Sequence, residues 1–182
     1  MSKKSKPVRA SPQPVDVYRH AVLFLATDGY LRHQVEEDPG LMTMLRYPGI
    51  LVSAFACELL LKCLILLDDR APKDTHNLLT LFEQLTTGHA AIVERHWDVL
   101  SLKWKDAIDA DEKQFNVKIP RDLKTALTDC GEAFKLIRYV YENPKKPLFY
   151  ISHLPLSLRR SVEEVTGWRL DDRKTPPTSQ VP

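Results

Sequence analysis

The chain has 182 residues, of which 43% are hydrophobic and 27% are charged, and its formal net charge is +2. These values suit one soluble globular domain that is long enough to bury a hydrophobic core. Residues 1–14 contain four basic side chains and no acidic one, so the rest of the chain is slightly acidic. This distribution excludes a uniformly basic nucleic-acid-binding domain, although it does not exclude a local basic patch.

The two ends of the chain differ from its body. Residues 1–13 are polar, basic and proline-containing, and residues 171–182 have a similar composition. We predict that both are disordered tails and that residues 14–170 form a single helical domain. A secretory signal requires an apolar run after its basic segment, and no such run follows the basic N-terminus here. A cytoplasmic protein is therefore expected.

The cysteines agree with that location. No pair of them has CxxC spacing, and each lies in a predicted helix. Buried free thiols in a reducing compartment are therefore expected. The three cysteines are Cys57, Cys63 and Cys130.

The first predicted element is a helix over residues 14–33. Pro14 stands at its first position and Asp16 in its first turn, both of which favour a helix N-terminus. The pattern then predicts a loop at residues 36–40 and a short helical turn at residues 41–45.

The central helix is predicted from Pro48 to Asp69, and almost every face of it is apolar. Only Glu58 and Lys62 are ionisable between residues 50 and 67. The run is long enough to span a membrane, but each mid-run charge would cost roughly 2.5–3.5 kcal/mol in lipid. The acid precedes the base by four residues, which is the favourable order for a helical ion pair. We therefore expect a buried core helix with one polar couple and no membrane span.

Further helices are predicted downstream, without any strand pattern or internal repeat. Their ranges are 76–86, capped by Thr75 or Asp74, then 90–110, then 120 or 121 to 143, and finally 154–168. The sequence therefore predicts an all-α fold, an up-and-down helical bundle of four to five main helices.

One group of polar residues stands out from this helical pattern. Glu58 and Lys62 share a helix face, and a short polar link returns His76 to the end of the same helix. A histidine in that place either takes part in proton transfer or holds the turn by hydrogen bonding. The six histidines do not pair at metal-ligand spacing, and no standard nucleotide-binding motif is present, so neither a metal nor a cofactor is expected.

Two stretches carry a family resemblance: SAFACELLLKCLILLDD…THNLLTLFEQL within residues 53–85, and RYVYE at residues 138–142. In order and spacing they resemble the HEPN superfamily (higher eukaryotes and prokaryotes nucleotide-binding domains), over roughly residues 47–142. The residues that match its motifs are Ala56, Glu58, Lys62, Leu64, His76, Asn77, Leu78, Leu81, Arg138, Tyr139, Tyr141 and Glu142.

The resemblance implies a helical bundle that forms a homodimer. It also implies an RNA- or nucleotide-associated domain of a bacterial defence or stress module, with RNA, a nucleotide, an antitoxin or another protein as partner. Many members are metal-independent endoribonucleases in which an Arg-x4–6-His motif holds the scissile phosphate and transfers protons. Other members are non-enzymatic interaction or scaffolding domains, and this alternative stays open.

The resemblance also assigns roles to individual residues. Arg70 and His76 have the spacing of the catalytic motif, whereas no histidine follows Arg138 four to seven positions on. His76 and Arg70 are therefore the candidate catalytic residues. Arg138 is a candidate phosphate-binding residue, and its alternative role is a surface ion pair with Glu142. The residues expected to position them are Glu58, Lys62, Asn77 and Tyr141.

Overall fold

Helices are the only regular secondary structure in the part of the chain that the computed structural model describes, which comprises residues 12–139, 142, 151 and 153–169. The all-α prediction is confirmed for these residues. In chain order they are α1 (Pro14–Glu37), the 3₁₀ helix η1 (Pro39–Leu41), α2 (Met42–Leu67), α3 (Leu78–Phe82), α4 (Thr87–Lys103), α5 (Lys105–Phe115), α6 (Leu123–Cys130), α7 (Ala133–Ile137) and α8 (Leu154–Thr166). Nearly all of the two predicted tails, and Tyr141, lie outside the described residues.

The central helix α2 is the element around which the others pack, as the sequence predicts. It contacts α1, α3, α7 and α8, and its second half is buried on almost every side. It begins at Met42, however, so the predicted start at Pro48 is wrong. Pro48 lacks the N–H that would bond to Met44, but both residues are exposed, so water can satisfy the Met44 carbonyl.

The helical run Pro39–Leu67 is also long and apolar enough to cross a membrane, with a mean hydropathy of 2.4 over its most apolar window. In that window 56% of the residues are buried inside the fold, as in the core helix of a globular protein. The expectation of no membrane span rests on this burial and on the paired charges within the run.

The three cysteines are free and buried, which confirms the prediction of buried free thiols. Burial raises the pKa of Cys63 and of Cys130 to about 12, and it raises the pKa of Cys57 well above its usual value. The thiolate is the reactive form of cysteine, so these thiols are inert packing groups near neutral pH.

Two helices that the sequence predicts as continuous are interrupted. The predicted helix 90–110 divides at Trp104 into α4 and α5, and α5 continues to Phe115, beyond the predicted end at residue 110. The predicted helix from residue 120 divides at Gly131 into α6 and α7. Apolar spacing continues across both interruptions, so the pattern alone could not reveal them.

The interruption at Gly131 has a visible cause in the packing. The Gly131 carbonyl accepts a hydrogen bond from the Leu78 N–H at 3.1 Å. A Cβ on Gly131 would lie 2.8 Å from the Leu127 carbonyl oxygen and 3.3 Å from the Asn77 side chain. A side chain here would therefore clash with the preceding turn of α6 and crowd Asn77, which favours glycine at this junction.

A buried histidine makes the fold sensitive to acid. His153 is 2% exposed, its ring lies 4.1 Å from the Trp97 ring, and its Nε2 lies 2.8 Å from Oγ of Ser101. Burial lowers the pKa of His153 to about 4, whereas an unfolded histidine has a pKa of about 6.5. Between these values the unfolded chain binds the extra proton. The free energy of unfolding is therefore highest above about pH 6.5. It falls by about 2–3 kcal/mol as the pH decreases toward about 4.

Denaturant unfolding at about pH 7 and about pH 4.5 measures this loss. The matched variant is His153→Gln, which keeps a hydrogen-bonding side chain but does not titrate. It should lose clearly less stability than the wild type between the two pH values. An equal loss in both proteins would show that other groups cause the acid sensitivity.

Candidate functional site

The predicted polar couple on α2 extends to a third residue. Glu58 is 2% exposed, and its Oε1 accepts a hydrogen bond from Nζ of Lys62 at 2.8 Å. Its Oε2 lies 2.9 Å from Nδ1 of His76, whose side chain is 49% exposed. A carboxylate only accepts hydrogen bonds, so Nδ1 of His76 donates to it. The buried acid therefore pairs with one cation, as the sequence predicted from the spacing, and with one imidazole, which the sequence had placed at the end of α2.

The link from α2 to α3 brings His76 back to this place. The Arg70 guanidinium donates to the Gln84 carbonyl oxygen at 2.6 Å. The Gln84 side chain accepts from the Lys73 N–H at 3.0 Å and donates to the Ala71 carbonyl oxygen at 2.7 Å. These bonds tie the link to the end of α3. Arg70 has a structural contact here, away from the groups that surround His76.

Asn77 joins the same link to the other side of the site. Its Oδ1 accepts from the Thr80 N–H at 2.8 Å and caps α3, so the prediction of Thr75 or Asp74 as the cap is wrong. Thr75 instead accepts from the Asn77 N–H at 3.1 Å. Nδ2 of Asn77 donates to Oε1 of Glu132 at 2.7 Å, next to α7. Asn77 therefore fixes both the start of α3 and the distance from the link to α7.

A cleft of about 340 Å³ opens between the link and α7. Glu132 contributes its carboxylate, which also lies 3.9 Å from Nζ of Lys135. The cleft therefore presents an imidazole, two cations, one partnered acid and a phenol. It is lined by Thr75, His76, Asn77, Glu132, Lys135, Arg138 and Tyr139.

The aromatic ring of Phe134 contacts both His76 and Arg138. The Phe134 ring lies 4.9 Å from the His76 ring and 4.7 Å from the Arg138 guanidinium carbon. On the core side it stacks on Phe55 at 5.1 Å, and Phe55 meets Phe24 of α1 at 4.7 Å. The shared ring is therefore partly buried against the helical core, and it holds an imidazole and a guanidinium at one wall of the cleft.

The chemistry of this arrangement follows from the orientation of His76. With Nδ1–H bonded to Glu58, the neutral imidazole keeps Nε2 as its proton acceptor, and this is the ring nitrogen that remains for the cleft. The guanidinium of Arg138 carries donors that suit the oxygens of a phosphate. The described residues contain no group of three or more His, Cys, Asp or Glu placed to hold a metal ion.

The structure thus brings together most, but not all, of the residues singled out in the sequence. Glu58, Lys62 and His76 form one hydrogen-bonded group, while Arg138 and Asn77 share the cleft with His76. Arg70 is not among the residues that line the cleft. Sequence reasoning missed Glu132 and Lys135, since an acid and a base three residues apart on a helical surface are too common to indicate a site.

Comparison of this chain with protein-family models, with curated proteins and with solved structures found no match.

Proposed function

We propose that the protein is an RNA-associated domain of a bacterial defence or stress module and that it acts as a metal-independent endoribonuclease. The observation that supports this proposal is the bond of 2.9 Å between the half-exposed His76 and the buried Glu58, in a cleft that also contains Arg138. The proposal includes a HEPN-like bundle and a homodimer, both of which rest on the motif resemblance.

In the proposed reaction, Nε2 of His76 accepts the proton of a ribose 2′-hydroxyl. The 2′-oxygen then forms a bond to the adjacent phosphorus, and the bond from phosphorus to the 5′-oxygen breaks. The products are a 2′,3′-cyclic phosphate and a 5′-hydroxyl. The 5′-oxygen takes its proton from water in the cleft, and Nε2 of His76 gives its proton to the hydroxide that remains. Arg138 donates to the non-bridging oxygens, where negative charge accumulates in the transition state. Glu58 keeps the imidazole in the required tautomer.

The first test decides which arginine serves this reaction. Removal of a charged hydrogen bond costs about 1.5–3 kcal/mol. Arg138→Gln is therefore expected to lower kcat/KM by about 10- to 100-fold. Arg70→Gln is the matched control, and it should change kcat/KM by less than about threefold, because Arg70 bonds to Gln84 and lies outside the cleft. The measurement is cleavage of a mixed RNA pool by purified protein in the presence of a chelator.

If activity is lost only in Arg70→Gln, the arginine that serves the reaction is Arg70, as the spacing in the sequence predicted. Cleavage that is equal in both variants and in the wild type would remove Arg138 from the mechanism.

A second candidate function is a non-enzymatic homodimeric interaction or scaffolding domain. A group of large apolar side chains on α1 and on the first turns of α2 is exposed, and such a surface suits a protein partner. In this case the bonds of Glu58 only hold the link in place. Absence of cleavage by the wild type, together with a dimer by light scattering, would favour this function. The exposed side chains are Leu23, Tyr30, Met42, Met44 and Tyr47.

A further inference from the structure

The cleft contains one aromatic ring that the proposed reaction does not use. Tyr139 is 47% exposed and lies at the cleft beside Arg138. The large hydrophobic side chains that are exposed elsewhere in the described residues, such as Tyr30, Tyr47 and Trp104, do not line it. The exposed ring and the candidate catalytic groups therefore coincide in one place.

The neighbours of Tyr139 orient it relative to the phosphate-binding candidate. The Arg138 guanidinium carbon lies 5.7 Å from the centre of the Tyr139 ring and 4.7 Å from that of Phe134. One cation thus contacts two rings, of which Phe134 is partly buried against the core and Tyr139 faces solvent. A phosphate bound by Arg138 would place the attached nucleoside within reach of the outer ring.

Exposed aromatic rings next to cations are the usual means by which proteins bind single-stranded nucleic acid. The cations attract the backbone, and a base stacks on the ring. A base in a duplex is already stacked on its neighbours and cannot take up this position without being unpaired.

We propose that Tyr139 is a base-stacking residue and that the cleft accepts single-stranded RNA with an unpaired base next to the phosphate held by Arg138. This inference rests on the proposed function and adds the substrate class to it. Lys135, which also lines the cleft, is a second cation that attracts the neighbouring phosphates of the same strand.

The test compares Tyr139→Leu with Tyr139→Phe, because phenylalanine keeps the ring and removes only the hydroxyl. The probe is a short 2′-O-methyl oligoribonucleotide that contains one 2-aminopurine. It cannot be cleaved through its 2′-oxygen, and its fluorescence falls when the reporter base stacks. Tyr139→Leu should raise Kd by about 5- to 100-fold and abolish the quenching. Tyr139→Phe should stay within about twofold of the wild type and retain the quenching.

A second probe, with the same backbone but abasic at the reporter and its neighbours, separates stacking from phosphate binding. Tyr139→Leu should bind it as the wild type does, and annealing the first probe to its complement should weaken wild-type binding to the level of the leucine variant. An equal loss of affinity for both probes would mean that Tyr139 acts only through Arg138, and this result would overturn the inference.

Arg138→Gln distinguishes failure of this inference from failure of the proposed function. Suppose that Arg138→Gln weakens binding of both probes, while Tyr139→Leu and Tyr139→Phe bind each probe with equal affinity. The stacking role then fails and the phosphate site stands. If Arg138→Gln and Tyr139→Leu both bind as the wild type does, the cleft is not the nucleic-acid site, and both proposals fail.

Discussion

His76→Asn is expected to keep the fold and to lower the rate of RNA cleavage by about 100- to 10,000-fold, the usual contribution of a general base. The amide nitrogen of asparagine occupies nearly the place of Nδ1, so it can still donate to Glu58. It has no equivalent of Nε2, which is the atom that would accept the proton. Initial rates on a mixed RNA pool without metal, together with the melting temperature, measure the two effects separately.

His76→Ala is the companion variant, because it removes both nitrogens. Oε2 of the buried Glu58 would lose its imidazole partner, so this variant should also lose about 1–3 kcal/mol of stability. A His76→Asn protein that cleaves RNA at the wild-type rate would contradict the catalytic role of His76. The histidine would then serve only to hold the link against α2.

Glu58→Ala is expected to cause the largest loss of stability, about 3–5 kcal/mol, as is typical when one member of a buried charge pair is removed. It leaves Lys62, whose side chain is only 22% exposed, without its counter-charge, and it opens a cavity in the most buried part of α2. Urea unfolding followed by circular dichroism gives the free energy of unfolding for each protein.

Two controls show whether the loss comes from the charge. Glu58→Gln keeps the volume and one accepting oxygen, so it should be clearly less destabilising than Glu58→Ala. The double variant Glu58→Leu with Lys62→Met replaces the ion pair by apolar groups of similar size, which can be close to neutral in a protein interior. A double variant as unstable as Glu58→Ala would assign the stability to the bond with His76 instead of to the bond with Lys62.

The spacing of residues in the sequence was sufficient to predict the core of this arrangement. Glu58 and Lys62 are four residues apart in an otherwise apolar helix, which places both on one face and requires that they pair. The polar link after α2 predicted that His76 returns to the end of that helix, whereas the structure places it beside Glu58, well before that end. Local geometry therefore predicted the pair of Glu58 and Lys62, and apolar periodicity predicted where most of the helices lie.

The choice of arginine could not be made in the same way. Arg70 is near His76 in sequence, but Gln84 holds its guanidinium at the end of α3. Arg138 is far from His76 in sequence and reaches it through the ring of Phe134. The interruption at Gly131 was equally hidden, because its cause is the approach of Leu78 and Asn77 from a distant part of the chain. Tertiary contacts of this kind leave no periodic signal in a single sequence.

The contacts between the link and α7 also determine the order in which the site can be assembled during folding. The pair between Glu58 and Lys62 lies within one turn of one helix and needs no loop closure. Arg138 joins His76 only after the chain that carries α4, α5 and α6 has closed into a loop. A nascent chain that has emerged as far as α3 would therefore contain the imidazole of His76 but not yet the guanidinium of Arg138. On the proposed function, cleavage of the messenger that encodes the protein would therefore be slow until α7 has docked.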